Sequence, residues 1–241
     1  MSARTNPDAG TGTGTIELVV FDLAGTTVED PDVVGTSLRA ALGAVGVTAP
    51  DDQITAVMGL PKPEAIRLLL EPAGLKVDDL DAVVAAVHRD FVGRMVRVYS
   101  TDPSVVEVPG TSRTFELLRA AGIKVAVDTG FSRDITLVLL DRLGWAERGL
   151  IDASITSDEV PRSRPHPDMI ERLMARLGVT DPARVAKVGD TPADLEEGRN
   201  AGCGLVVGVT GGTHTREQLQ GSPHTHLIGS VAELPGLLGL G

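Results

Sequence analysis

The 241-residue chain is predicted to fold as a doubly wound parallel α/β sheet with an all-helical insertion after its first strand. Short apolar runs at residues 18–21, 124–127, 185–188 and 205–209 alternate with stretches of helical spacing, the pattern of βαβ units whose strands are buried on both faces. Aromatic residues are few, one Trp, one Tyr and four Phe, so the core rests on Leu, Val, Ile and Ala, which suits helices packed on a parallel sheet. Between the first run and the others lies a segment of roughly seventy residues, a small domain's length, with no convincing strand.

The elements follow in order. Residues 15–31 carry the first strand, and 33–45, 53–70 and 80–99 then show amphipathic helical spacing separated by Pro and Gly breaks. Pro109 and Gly110 open a helix that Gly122 ends, and residues 124–127 are a buried strand. Ser132 is placed to cap a helix running to residue 143. Strands at 151–155, 185–188 and 205–209 alternate with helices at 168–177 and 195–201, and a last pair covers 226–228 and 231–238. The expected division is a disordered arm at 1–14, an α/β core at 15–31 and 105–241, and a helical cap at 32–104. Both connections to the cap leave the sheet edge that bears Asp22, so the cap is expected to lie over it as a lid.

Composition excludes several roles. A net charge of −11 with no clustered Lys and Arg argues against nucleic acid as a partner. Cys203 stands alone, so no intrachain disulfide can form, and a cytoplasmic location is expected. No apolar run approaches bilayer length, which argues against a membrane span.

Four polar pieces fall at the ends of predicted strands, where an open parallel sheet gathers ligands: Asp22 with Thr26, Asp128-Thr129-Gly130, residues 162–167, and the stretch from Gly189 to Asp194. Asp22 follows an apolar strand and precedes a Gly-Thr turn, a nucleophile's position. Asp22 and Asp190 are hard oxygen ligands suited to one Mg²⁺, with the carbonyl of Ala24 as a third protein oxygen. Without a cation, two close carboxylates repel and one takes up a proton. Asp194 is expected to support this group by hydrogen bonding. The hydroxyl of Thr129 and the amide of Gly130 suit phosphoryl oxygens, and Arg164 supplies a permanent positive charge. Each piece alone has a plainer role as helix cap, turn or loop charge. Their order along the chain, each behind a strand, favours the catalytic one.

In these motifs the chain resembles the haloacid dehalogenase-like hydrolases over nearly its whole length after the arm. The resemblance implies a Rossmann-like core with a helical cap, an aspartyl phosphate formed on Asp22, and Arg164 in the place of the more usual Lys. Most relatives of the motif carry a second Asp, which protonates a leaving oxygen, where this chain has Ala24.

Asp-Leu-Ala-Gly-Thr-Thr at 22–27 is similar to the phosphonatase branch, the phosphonoacetaldehyde hydrolases, which share that Ala. The segment from Met58 to Arg67 looks like that branch's cap motif, which implies a Schiff-base role for Lys62 and substrate contacts for Met58 and Gly59; Thr26 and Gly130 complete the expected substrate contacts. A phosphonate has no bridging oxygen to protonate, and an imine on Lys62 would accept the electrons that a departing carbon must otherwise hold. The chain departs from that pattern at Ala65 (a His there), Phe131 (a Tyr) and Asp32 (a Cys). The expectation is therefore a Mg²⁺-dependent hydrolase of a small phosphonate such as phosphonoacetaldehyde, with a small phosphomonoester, as for phosphoglycolate phosphatases, as the alternative substrate. A metal-free dehalogenase, or a binding protein that lost turnover with Ala24, ranks behind both. The resemblance also suggests a homodimer.

Overall fold

The computed structural model describes residues 15–74 and 79–240; the expected arm at 1–14 lies outside them. Six parallel strands form one sheet: β1 (Leu18–Phe21), β2 (Lys124–Thr129), β3 (Ala153–Thr156), β4 (Val185–Gly189), β5 (Leu205–Val209) and β6 (His226–Ile228), in the order β3-β2-β1-β4-β5-β6. β1 is paired on both sides, with β2 and with β4, so the winding reverses at β1 and opens a crevice at its C-terminal end.

Side chains alternate across a strand, and β1 shows the result. Val19 and Phe21 join one apolar cluster, whereas Leu18 and Val20 join another with Met169, Ile170 and Leu173 on the opposite face. Phe21 meets Phe115 at a ring separation of 5.0 Å, and Phe115 in turn meets Trp145 at 5.1 Å. Three of the chain's few aromatic rings are thus concentrated behind the strand that carries Asp22.

Between β1 and β2 run α1 (Val33–Gly43), α2 (Asp51–Ala56), α3 (Lys62–Leu70), α4 (Leu80–Thr101) and α5 (Thr111–Ala120). The helical spacing over 53–70 is interrupted in the structure. Gly59 takes a left-handed φ of +84° and Pro61 follows, so α2 and α3 are separate helices joined by an irregular turn. α4 packs on α1, on α3 and on α6 (Arg133–Leu143), with Phe91, Met95 and Tyr99 buried, and one apolar cluster runs from the sheet into these helices.

The two chain paths between sheet and helices lie side by side. Glu29 donates its amide to the Val106 carbonyl at 3.0 Å, Val108 donates to Thr27 at 2.9 Å, and Val28 bridges Glu107 in antiparallel fashion. The remaining helices are α7 (Asp168–Leu177), α8 (Pro192–Asn200), α9 (Arg216–Leu219) and α10 (Leu234–Leu237). α8 begins three residues before the expected start, because Thr191 and Asp194 form a capping box at its N-terminus. Among the described residues no helix is long and apolar enough to cross a membrane.

Candidate active site

Strand register builds the site. Phe21 lies beside Val127 on one side and Val188 on the other, so the residues that follow, Asp22, Asp128 and Gly189, emerge level at one sheet edge. Asp190 is the next residue along. Asp22 is held there by its amide, which donates to the Val188 carbonyl at 2.9 Å.

Arg164 joins the strands. Its guanidinium is 1% exposed and donates from Nη1 to Asp22 Oδ1 at 2.7 Å, from Nε to Glu197 Oε2 at 3.1 Å and from Nη2 to the Asp128 carbonyl at 3.0 Å. It also pairs with the carboxylates of Asp128 and of Asp194, the latter at 2.9 Å. Lys187, fully buried in β4, faces Asp194 at 3.1 Å and Glu197 at 3.0 Å and pairs with Asp128 as well. Two buried cations thus oppose four carboxyl groups. Burial, with the charge of Asp128 next, pushes Glu197 up to about 8, against the pull of Lys187 and Arg164. Asp128 itself stays below its ordinary range: Arg164 and Lys187 outweigh its burial.

Compensation falls off toward Asp190, which no cation pairs among the described residues. Asp22, Asp190 and Asp194 each offer a carboxylate oxygen, all within 4.8 Å of one another. Burial pushes Asp22 up to about 8 against the pull of Arg164, with Asp194 and Asp190 adding to the rise. Burial and Asp194 push Asp190 to about 6, although Thr213 and Thr26 both donate hydrogen bonds to it. A second set, Asp128, Asp194 and Glu197, also lies close together, but Arg164 and Lys187 already neutralise it. The first set includes Asp190, a carboxylate with no cation beside it, and is the one whose chemistry fits a divalent cation. Gly25 and Gly212 let the backbone close on it, since a Cβ on either would overlap the Asp190 carboxylate.

A pocket opens above this edge and brings together Asp22, Ala24, Met58, Gly59, Lys62, Thr129, Gly130 and Arg164. Thr26, expected against substrate, does not line it. Thr26 is fully buried and donates its hydroxyl to Asp190 Oδ1 at 2.9 Å, which steers that carboxylate. Asp194 lies below the pocket, accepting from the Thr191 hydroxyl at 2.5 Å. Asp32 faces away: it pairs with Arg39 at 2.7 Å on the surface.

Helix and sheet meet through glycines. A Cβ on Gly130 would lie 2.7 Å from the Leu60 carbonyl, and one on Gly59 would overlap the Thr191 hydroxyl. The turn between α2 and α3 therefore rests directly on the sheet edge. Lys62, the first residue of α3, is carried into the pocket and is 3% exposed. Its Nζ lies 5.6 Å above the centre of the Phe131 ring and 3.4 Å from the Leu60 carbonyl. Burial lowers its pKa to about 8; Arg164 adds to the fall, while Asp22 and Asp30 oppose it. A cation at a helix N-terminus also meets the positive end of the helix dipole.

Sequence reasoning missed Lys187 and Glu197 as parts of the site and gave Asp128 no role. A Lys inside the apolar run of β4 was the available signal for the first, and the helical spacing of Glu197 three residues after Asp194 for the second. His214 is buried, next to the backbone of Asp190.

A strand-end carboxylate, an acidic cluster of metal-binding type and a buried cation thus meet at the switch point of a parallel sheet, the arrangement of a candidate hydrolase active site. Residues 16–202 match the family model of the haloacid dehalogenase-like hydrolases. The chain belongs to that family. It is 32% identical to a phosphonoacetaldehyde hydrolase of Bacteroides fragilis, over 91% of this chain and 87% of that protein. It is 33% identical to the probable phosphatase IndB of Dickeya dadantii, over 91% of this chain and 92% of that one. Among solved structures, a phosphonoacetaldehyde hydrolase-like protein from Oleispira antarctica superposes with a TM-score of 0.80 at 23% identity, covering 99% of this chain and 96% of that one.

Proposed function

We propose that this hydrolase cleaves the carbon–phosphorus bond of a small aldehyde-bearing phosphonate, of which phosphonoacetaldehyde is the simplest, through an aspartyl phosphate on Asp22. One observation carries the reading: Lys62 offers a buried amine of lowered pKa in the same pocket as Asp22, while Ala24 stands where an acid would serve a leaving oxygen.

Lys62 condenses with the aldehyde and Asp22 attacks phosphorus. The electrons of the breaking bond flow into the C=N bond, leaving an enamine, so no general acid is needed at position 24. Arg164 holds the Asp22 carboxylate on the attacking side, and the Thr129 hydroxyl and Gly130 amide face the phosphoryl oxygens. Water then hydrolyses the aspartyl phosphate. Mg²⁺ held by Asp22, Asp190 and the Ala24 carbonyl would keep Asp22 ionised and screen it from the phosphoryl charge. The helices from residue 32 to 104 act as the cap that supplies Lys62 and excludes water.

A phosphatase acting on a small phosphomonoester is the second reading. Ala65 and Phe131, apolar where the phosphonatase pattern has His and Tyr, favour it, as does the similarity to IndB. Turnover of phosphonoacetaldehyde should exceed that of a panel of phosphate esters, and borohydride should trap the aldehyde on Lys62. Preference for an ester with no trapped adduct selects the phosphatase instead. Asp22→Asn should abolish either activity, and a variant that still turns over removes the nucleophile assignment.

A further inference from the structure

The pocket holds a second carboxylate for which neither the sequence motifs nor the mechanism above has a use. Asp30, on the path from β1 to α1, lines the same pocket as Lys62. One of its oxygens, Oδ1, accepts the amides of Val33, at 2.5 Å, and of Val34, at 3.3 Å, and so fixes the side chain at the start of α1. The other, Oδ2, accepts no protein hydrogen bond among the described residues. Asp30 and Lys62 each feel the other's charge, and burial raises the carboxyl of Asp30 above its ordinary value.

The rest of the pocket narrows the assignment. Its other ionisable groups are Asp22, which attacks phosphorus, and Arg164, which stays charged. His88 of α4 feels Lys62 but does not line the pocket, and position 65 offers only a methyl group. The geometry points to Asp30 as the proton-transfer group for Lys62 during condensation with the substrate aldehyde, a role that rests on the imine reading above.

The balance closes on the pair itself. No ion pair joins Asp30 and Lys62 among the described residues, so the Asp30 carboxylate takes a proton from the Lys62 ammonium through one bridging water, and the freed amine adds to the carbonyl carbon. Asp30 returns that proton to the carbonyl oxygen, then takes the second N–H proton and delivers it to the hydroxyl as the C–O bond breaks. Nitrogen's lone pair forms the C=N bond, and the oxygen leaves as water with the two protons that nitrogen lost. Asp30 ends as the carboxylate it began as, and Lys62 as an iminium ion.

The test is the rate of borohydride trapping of phosphonoacetaldehyde on Lys62, followed by intact mass across pH for the wild type, Asp30→Asn and Asp30→Glu. Asn keeps an oxygen for Val33 and Val34, and a thermal melt reports whether each variant folds. Because the Asp30 charge raises the Lys62 pKa, a purely electrostatic role predicts that Asp30→Asn shifts the pH profile down and speeds trapping near neutrality. Proton transfer predicts the same downward shift but a plateau rate lower by about 10²-fold, recovered in part by Asp30→Glu or by added formate. An unchanged plateau in a folded Asp30→Asn overturns the role of Asp30 and leaves the imine standing. Absence of any adduct in the wild type overturns the imine, and this inference with it.

Discussion

Lys62 shows how one residue's position decides its chemistry. On an exposed helix face an amine near pKa 10.4 is almost wholly protonated at neutral pH and a poor nucleophile. Set at the buried start of α3, it falls to about 8, chiefly through burial. The neutral form then grows about tenfold per pH unit up to that value and levels beyond it. Trapping of an aldehyde on Lys62 should therefore rise with pH and flatten above about 8, while Lys62→Met should trap nothing at any pH; mass spectrometry of the reduced adduct measures both. A trapping rate independent of pH between 6 and 9 would show that the amine is not the titrating group.

At the scale of elements, the turn from Val57 to Pro61 matters most. Apolar periodicity over residues 53–70 suggested one helix, because periodicity reports which side chains are buried and not whether the backbone between them stays helical. The Gly and Pro in the stretch held the contrary signal, and the structure uses both: Gly59 adopts φ +84° against Thr191, and Pro61 precedes α3. Gly59→Ala should cost about 1–3 kcal/mol, since the new methyl group meets both an unfavourable φ and the Thr191 hydroxyl that holds Asp194. Urea denaturation reads the loss, and kcat/KM should fall with it because the pocket wall moves.

The strands were legible for a different reason. Residues 185–188 and 205–209 are buried throughout because both faces of a central parallel strand are covered, and apart from Lys187 they carry no charge. The buried network behind that edge was not legible in the same way. Whether Lys187 points at solvent or at Asp128 depends on a neighbour brought from 59 positions away.

For the whole molecule that network links stability to pH. Glu197 sits near 8 in the folded state against an ordinary value of 4.5, so the folded protein binds the extra proton between those limits. Its contribution to stability is complete below about 4.5 and is lost as pH rises through about 8. Glu197→Gln mimics the protonated form, so its melting temperature relative to wild type should climb from pH 4.5 to 8 and then level. A constant difference across that range would mean that Glu197 is ionised in the fold. Lys187→Met should cost about 3–5 kcal/mol, measurable by urea denaturation, because Asp128 and Asp194 would share the single remaining cation, Arg164.

The antiparallel pairing of residues 28–29 with 106–108 carries a consequence for how such a protein can diversify. Because exit and return are hydrogen-bonded neighbours, everything spliced between them hangs from a single two-stranded stalk beside the aspartate. Exchanging the pendant replaces the turn that carries Met58, Gly59 and Lys62 into the pocket and leaves Asp22, Asp190 and Arg164 anchored at the sheet edge.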